Sequence, residues 1–248
     1  MPELPASVRV AVWVSHAWSV GADADSVLPH ALPDVTDRGL GDRLRLWRDL
    51  GESAVYAALP RPGDRGLLPD CPPDAYDAAT GAGEAVFVPG IGSMAVPRFV
   101  GLDPSARGSG LAWDVFNAAA VPVHRLAGVD LPGADRRLRH AVHAAIDALG
   151  DGGWVDAWQR DHGPGEDRLW SLPPDLPDRA RAVIVRSASV LQIAEAGLVH
   201  ATGSAGAGLE QARRHTLLGL REAASAALEA ATAAAAGYFA AQSRSTRS

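Results

Sequence analysis

Between Pro177 and Thr202 (PDRARAVIVRSASVLQIAEAGLVHAT), the apolar residues Ala180, Val183, Ile184, Leu191, Ala194 and Leu198 recur at helical spacing. Pro177 suits a first turn, Asp175 or Asp178 can cap its free N–H groups, and Gly203 follows the last turn. Val185, Ile193 and Val199 lie off the stripe. The segment is thus apolar nearly all round, which predicts a helix wrapped by its neighbours. A polar row, Arg186, Ser189, Gln192 and Glu195, crosses it. Such a row either hydrogen-bonds at a core edge or walls a polar pocket.

The same reading gives the remaining elements. Ser7–Val20 alternates valines like a strand, but its length and its stop before Gly21 favour a helix. A short helix capped by Asp23 or Asp25 runs to Leu32, and Leu40–Leu50 forms an amphipathic one. Ala54–Pro60 reads as a strand entering a turn at Pro62–Asp64. Asp70–Gly83 reads as a loop with one helical turn. Glu84–Val88, Ser93–Val100 and Gly110–Asn117 make a meander, in which Pro97 demands an edge position or a bulge. Asp135–Leu149 is a helix with Leu138, Val142, Ala145, Ile146 and Leu149 inward. Gly150–Pro174 is a loop anchored by Trp154, Trp158 and Trp170. Gly208–Ala240 is a long Ala-rich helix with Leu217, Leu220, Ala224, Leu228, Ala231 and Ala235 on one stripe.

These elements predict an α+β protein. N-terminal helices and a small antiparallel sheet of about four strands occupy residues 1–130. A helical part over 131–243 packs on them, and 244–248 form a disordered tail.

Composition narrows the chemistry. All 23 basic residues are Arg, so no lysine is available for a Schiff base or for the lysine-dependent phosphate sites of P-loop proteins and kinases. Net charge is −6, with 10 Arg against 16 acidic residues over 1–130 and 13 against 13 over 131–248. Neither part carries the basic excess that nucleic acid requires. One cysteine, Cys71, excludes an internal disulfide, and its Pro72–Pro73 neighbours suggest a rigid loop. No signal peptide or membrane span is read, so the expected location is the cytoplasm.

Several motifs spell known chemistry in part. Gly90–Ala95 spells a G-x-G-x-x-A dinucleotide loop, but strand-like residues with a proline follow where a helix is needed. Thr202–Gly206 misses the first glycine of a nucleophile elbow. His140, His143 and Asp147 share one helical face and are the metal-like set, with His124 or His200 available to complete it. Arg136 beside them favours a solvated surface. The acid pairs Asp23/Asp25, Asp74/Asp77 and Asp175/Asp178 read as helix caps. Arg98 and Asp114, mid-strand in adjacent strands, are predicted to pair across the meander. With Arg61, Asp64 and His124 they form the candidate polar pocket.

LPRPGD at Leu59–Asp64, GEAVF at Gly83–Phe87 and RRHTLLGLREAASAALEAA near the C-terminus resemble a family of uncharacterised actinobacterial proteins with an LPxPGD turn, an AGEAV strand and an Ala-rich C-terminal helix. The resemblance implies the strands at 54–60 and 84–88 and carries no activity. The function expected is non-catalytic: a cytoplasmic interaction or small-ligand-binding protein without cofactor, metal, nucleic acid or membrane. A homodimer through the C-terminal helices is the expected partner. The alternative is a hydrolase or metal-assisted enzyme using His140, His143 and Asp147.

Overall fold

The computed structural model describes residues 4–101, 109–149, 172–199 and 207–246. The helices are α1 (Ala6–Ser19), α2 (Ala24–Ala31), α3 (Leu40–Asp49), α4 (Pro73–Ala82), α5 (Val123–Ala127), α6 (Leu131–Leu149), α7 (Asp178–Val199) and α8 (Ala207–Thr246). The strands are β1 (Val35–Arg38), β2 (Tyr56–Ala58), β3 (Ala85–Val88), β4 (Ser93–Gly101) and β5 (Ser109–Asn117). They form one sheet in the order β1-β5-β4-β3-β2. The fold is α+β with a helical C-terminal half.

The sheet is mixed. The β2–β3–β4–β5 run is antiparallel, and β1 adds in parallel to β5, pairing Val35 with Ser109 and Arg38 with Ala112. β1 has four residues, three of them polar, and its burial only half alternates, so periodicity could not mark it. Pro97 lies inside an interior strand, yet β3 pairs only with Ser93–Ala95. At Pro97 that side of β4 is free, and the missing N–H costs no ladder bond.

Side chains alternate across the sheet into two cores. Val55, Ala57, Val86, Val88, Ala95 and Leu111 face the core that holds α1, while Tyr56, Ala58, Ala85, Phe87, Met94 and Val96 face the one that holds α4 residues Ala75 and Ala79. Helix α1 is enclosed almost completely, which explains its valine-rich composition: packing on all sides overrides the strand preference of Val. Ser15, fully buried on α1, takes the place of a further strand at the sheet's edge. Its Oγ donates to Val55 O and accepts from Val55 N, each at 3.0 Å.

Helix α8 is the central element. It packs against α7, α6, α1, α5 and β2, and Leu217, Ala224, Leu228, Ala231, Ala235 and Phe239 are fully buried along it. Leu217, Leu228 and Phe239 each contribute about 1.5–3 kcal/mol. The stripe expected from the sequence is thus buried within the chain itself. Gly197 of α7 lets the two helices close up, since a β-carbon there would sit 3.0 Å from Leu217.

Several expectations change. Helix α7 buries Val183, Ile184 and Leu191 but leaves Val199 73% exposed, Val185 exposed and Leu198 half-buried, because its neighbours cover one side only. By length and apolarity alone α7 would be long enough to cross a membrane; half of that stretch is buried. Ile146 is 62% exposed, outside the inner stripe of α6. Residues 73–82 form a ten-residue helix where one turn was expected, started by Pro72–Pro73 and ended by Gly83 at φ 72°. The expected tail is helical through Thr246. Trp154, Trp158, Trp170 and Thr202–Gly206 lie outside the described residues.

Candidate ligand-binding site

The LPRPGD segment closes a tight turn. Arg61 N donates to Asp64 O at 2.7 Å, Asp64 N donates to Arg61 O at 2.9 Å, and Asp64 Oδ1 accepts from Gly66 N. Helix α8 clasps this turn through one polar row, Arg221, Ser225 and Glu229, spaced four apart and hence on one face. Glu229 is buried, and its Oε1 accepts from Leu59 N at 2.7 Å and Leu67 N at 3.0 Å. Burial pushes its carboxyl up to about 7, against the two N–H groups that favour the charge. Gly66, at φ 52°, permits this approach: a β-carbon there would lie 2.5 Å from Oε1. Arg61 Nη2 donates to Ser225 Oγ.

Beside the clasp lies a cavity of about 340 Å³. Its walls are Leu59–Pro62, the 80–84 turn where α4 meets β3, Ala188, Leu191, Gln192 and Glu195 of α7, and Arg221 of α8. The polar row of α7 therefore divides. Arg186 pairs with Asp135, and Ser189 donates to Val185 O, while Gln192 and Glu195 face the cavity. Glu84 stands at the rim, and its Oε2 accepts from Ser7 N at 2.7 Å, the first turn of α1; burial raises this carboxyl. Burial lowers the Arg61 guanidinium pKa, and the nearby Arg221 charge lowers it further. The Nε atoms of both arginines are buried without a hydrogen-bond partner. Among the described residues, neither guanidinium forms an ion pair with a carboxylate.

Of the five residues expected to share a polar pocket, the cavity takes only Arg61. Asp64 is spent on its own turn. Arg98 and Asp114 do pair, Nε to Oδ2 at 2.9 Å and Nη2 to Oδ1 at 3.3 Å, but on an exposed part of the sheet. The register sets them diagonally, with Arg98 opposite Ala112 and Val96 opposite Asp114. His124 is exposed on α5, and His140, His143 and Asp147 are exposed on α6. Among the described residues no group of His, Cys, Asp and Glu gathers as a metal site would. Burial raises the Cys71 thiol and outweighs the lowering by the Arg65 charge and hydrogen bond. Of Gly90–Ala95, the first three residues lie in a hairpin turn held by Glu52, whose Oε1 accepts from Ile91 N at 2.6 Å, and the last three begin β4. Of the acid pairs, Asp25 bonds Arg45, Asp175 bonds His16, and Asp23 makes no side-chain cap.

A larger, shallower groove of about 680 Å³ lies between the end of α1 and the end of α8, with Trp18, Val20, Tyr238 and Ala241 in its walls. Its arginine, Arg48, donates to Ala22 O. The smaller cavity is the stronger candidate because it is lined by two arginines, one of which, Arg221, gives no side-chain hydrogen bond to the protein among the described residues.

Sequence reasoning missed Glu229, Arg221, Ser225, Glu52 and Glu84. The spacing of Arg221, Ser225 and Glu229 within an alanine run was the available signal. Residues 7–126 match the family model for the N-terminal domain of Rv1486c-like proteins, and residues 132–229 match the model for their C-terminal domain. Both fit an uncharacterised actinobacterial family. No curated protein and no solved structure matches the chain.

Proposed function

Starting from a chain that carries, in order, matches to both domains of the Rv1486c-like proteins, we propose that it is a non-catalytic protein that binds a small polar molecule in the cavity at Arg61. The supporting observation is where the walls come from. The LPRPGD turn and the 80–84 turn supply one side, and α7 and α8 supply the other. A cavity lined by a few convergent polar groups on an otherwise apolar wall is the usual form of a small-molecule site. Its guanidinium, carboxylate and amide side chains suit recognition of a polar molecule.

A screen of small polar compounds by protein-detected NMR tests this. Binders are expected to shift the signals of Thr80, Ala188 and Gln192. Gly81→Trp, at a position where a β-carbon meets no atom within 4 Å, is expected to fill the mouth and abolish binding without unfolding the protein. Binders that leave those three residues unmoved, or that bind Gly81→Trp equally well, refute the reading.

A further inference from the structure

We infer that the molecule held in this cavity carries an oxyanion, a carboxylate or a phosphate, seated between the guanidinium groups of Arg61 and Arg221. The inference rests on the cavity being a binding site. Two like charges are held on separate segments, the 59–64 turn and helix α8, and the Arg221 charge lowers the Arg61 pKa while Glu195, Asp64 and Glu229 act the other way. Each keeps an Nε–H that no protein acceptor takes. Both side chains line the cavity, and among the described residues Arg221 donates no side-chain hydrogen bond to the protein, which leaves it to take an acceptor from a bound molecule.

The carboxylates around the pair are committed elsewhere. Glu229 Oε1 accepts from Leu59 and Leu67, Asp64 Oδ1 from Gly66, and Glu84 Oε2 from Ser7. Glu195 is exposed at the cavity wall and bonds neither arginine. Arg61 is anchored by its bond to Ser225, which orients the planar fork. Guanidinium forks match carboxylate and phosphate oxygens in plane, which an ammonium cannot do, and this protein has no lysine.

The Nε–Hε NMR signals of the arginines read the site directly. Inorganic phosphate and succinate are titrated separately into the full chain, with sodium chloride as control. Saturable shifts of the Arg61 and Arg221 signals are expected with at least one of them; the tighter of the two distinguishes phosphate from carboxylate. Arg221→Gln should weaken binding roughly tenfold or more, the loss of one charge-assisted bond. Glu195→Gln removes a competing charge and should tighten binding. It gives an answer even if Arg221→Gln folds poorly. Shifts no larger than those with chloride, or weaker binding by Glu195→Gln, overturn the inference. If neutral compounds shift Ala188 and Gln192 while both anions fail, the cavity is a site for another chemistry. If nothing binds, both readings fall.

Discussion

Glu229 offers the sharpest test of how the turn and α8 are joined. Its carboxyl titrates at about 7 in the fold against 4.5 for an unhindered glutamate. That difference corresponds to about 3 kcal/mol. The sign follows from proton counting. Between pH about 4.5 and about 7 the folded chain holds a proton the unfolded chain has lost. Stability from this group is therefore full below about 4.5, falls as pH rises, and is gone above about 7. Burial raises Asp37, Glu52 and Glu84 as well, so the whole protein slopes the same way. Their contribution cancels when two variants are subtracted. Glu229→Gln keeps an oxygen for Leu59 N and Leu67 N but cannot ionise. Urea unfolding of both proteins from pH 4 to 8 should show the difference moving by about 3 kcal/mol in favour of Gln. A flat difference, or one that moves toward Glu, refutes the reasoning. Glu229→Ala instead strands both N–H groups and should cost roughly 2–6 kcal/mol at pH 4, and about 3 kcal/mol less than that at pH 8.

Gly66→Ala puts a β-carbon against the Glu229 carboxylate in a left-handed backbone, and should destabilise by at least about 1–2 kcal/mol. In a double-mutant cycle with Glu229→Ala the cost should shrink; full additivity would show that the two do not touch. Ser15→Ala removes the partner of Val55 at the sheet edge and should lower Tm by several degrees, about 1–3 kcal/mol, by calorimetry. An unchanged Tm would place water where Ser15 now stands. Asp114→Ala should leave the urea midpoint nearly unmoved, because its pair with Arg98 is exposed.

What the sequence made legible was what repeats. The stripes of α7 and α8, the β3–β4–β5 meander and the Arg98–Asp114 pair follow from spacing, because burial on one face imposes a period. What it hid is set by contacts between distant segments. The valines of α1 read half as strand, and only enclosure on all sides decides for helix. β1 is legible only through its partner β5. Glu229 stands 170 positions from Leu59, and no local rule connects a lone acid in an alanine run to a backbone N–H in a proline-rich turn. The sequence did mark the α7 polar row as one of two things. The structure makes it both, with Arg186 at a core edge and Gln192 and Glu195 on a cavity wall.

The most direct test is a crystal structure of the protein purified from its native host, refined without any added ligand. The account predicts well-defined non-protein density between the Arg61 and Arg221 guanidinium groups, within hydrogen-bond reach of both side chains. It is contradicted if those two groups instead bond directly to Glu195 or another protein carboxylate and leave the cavity closed.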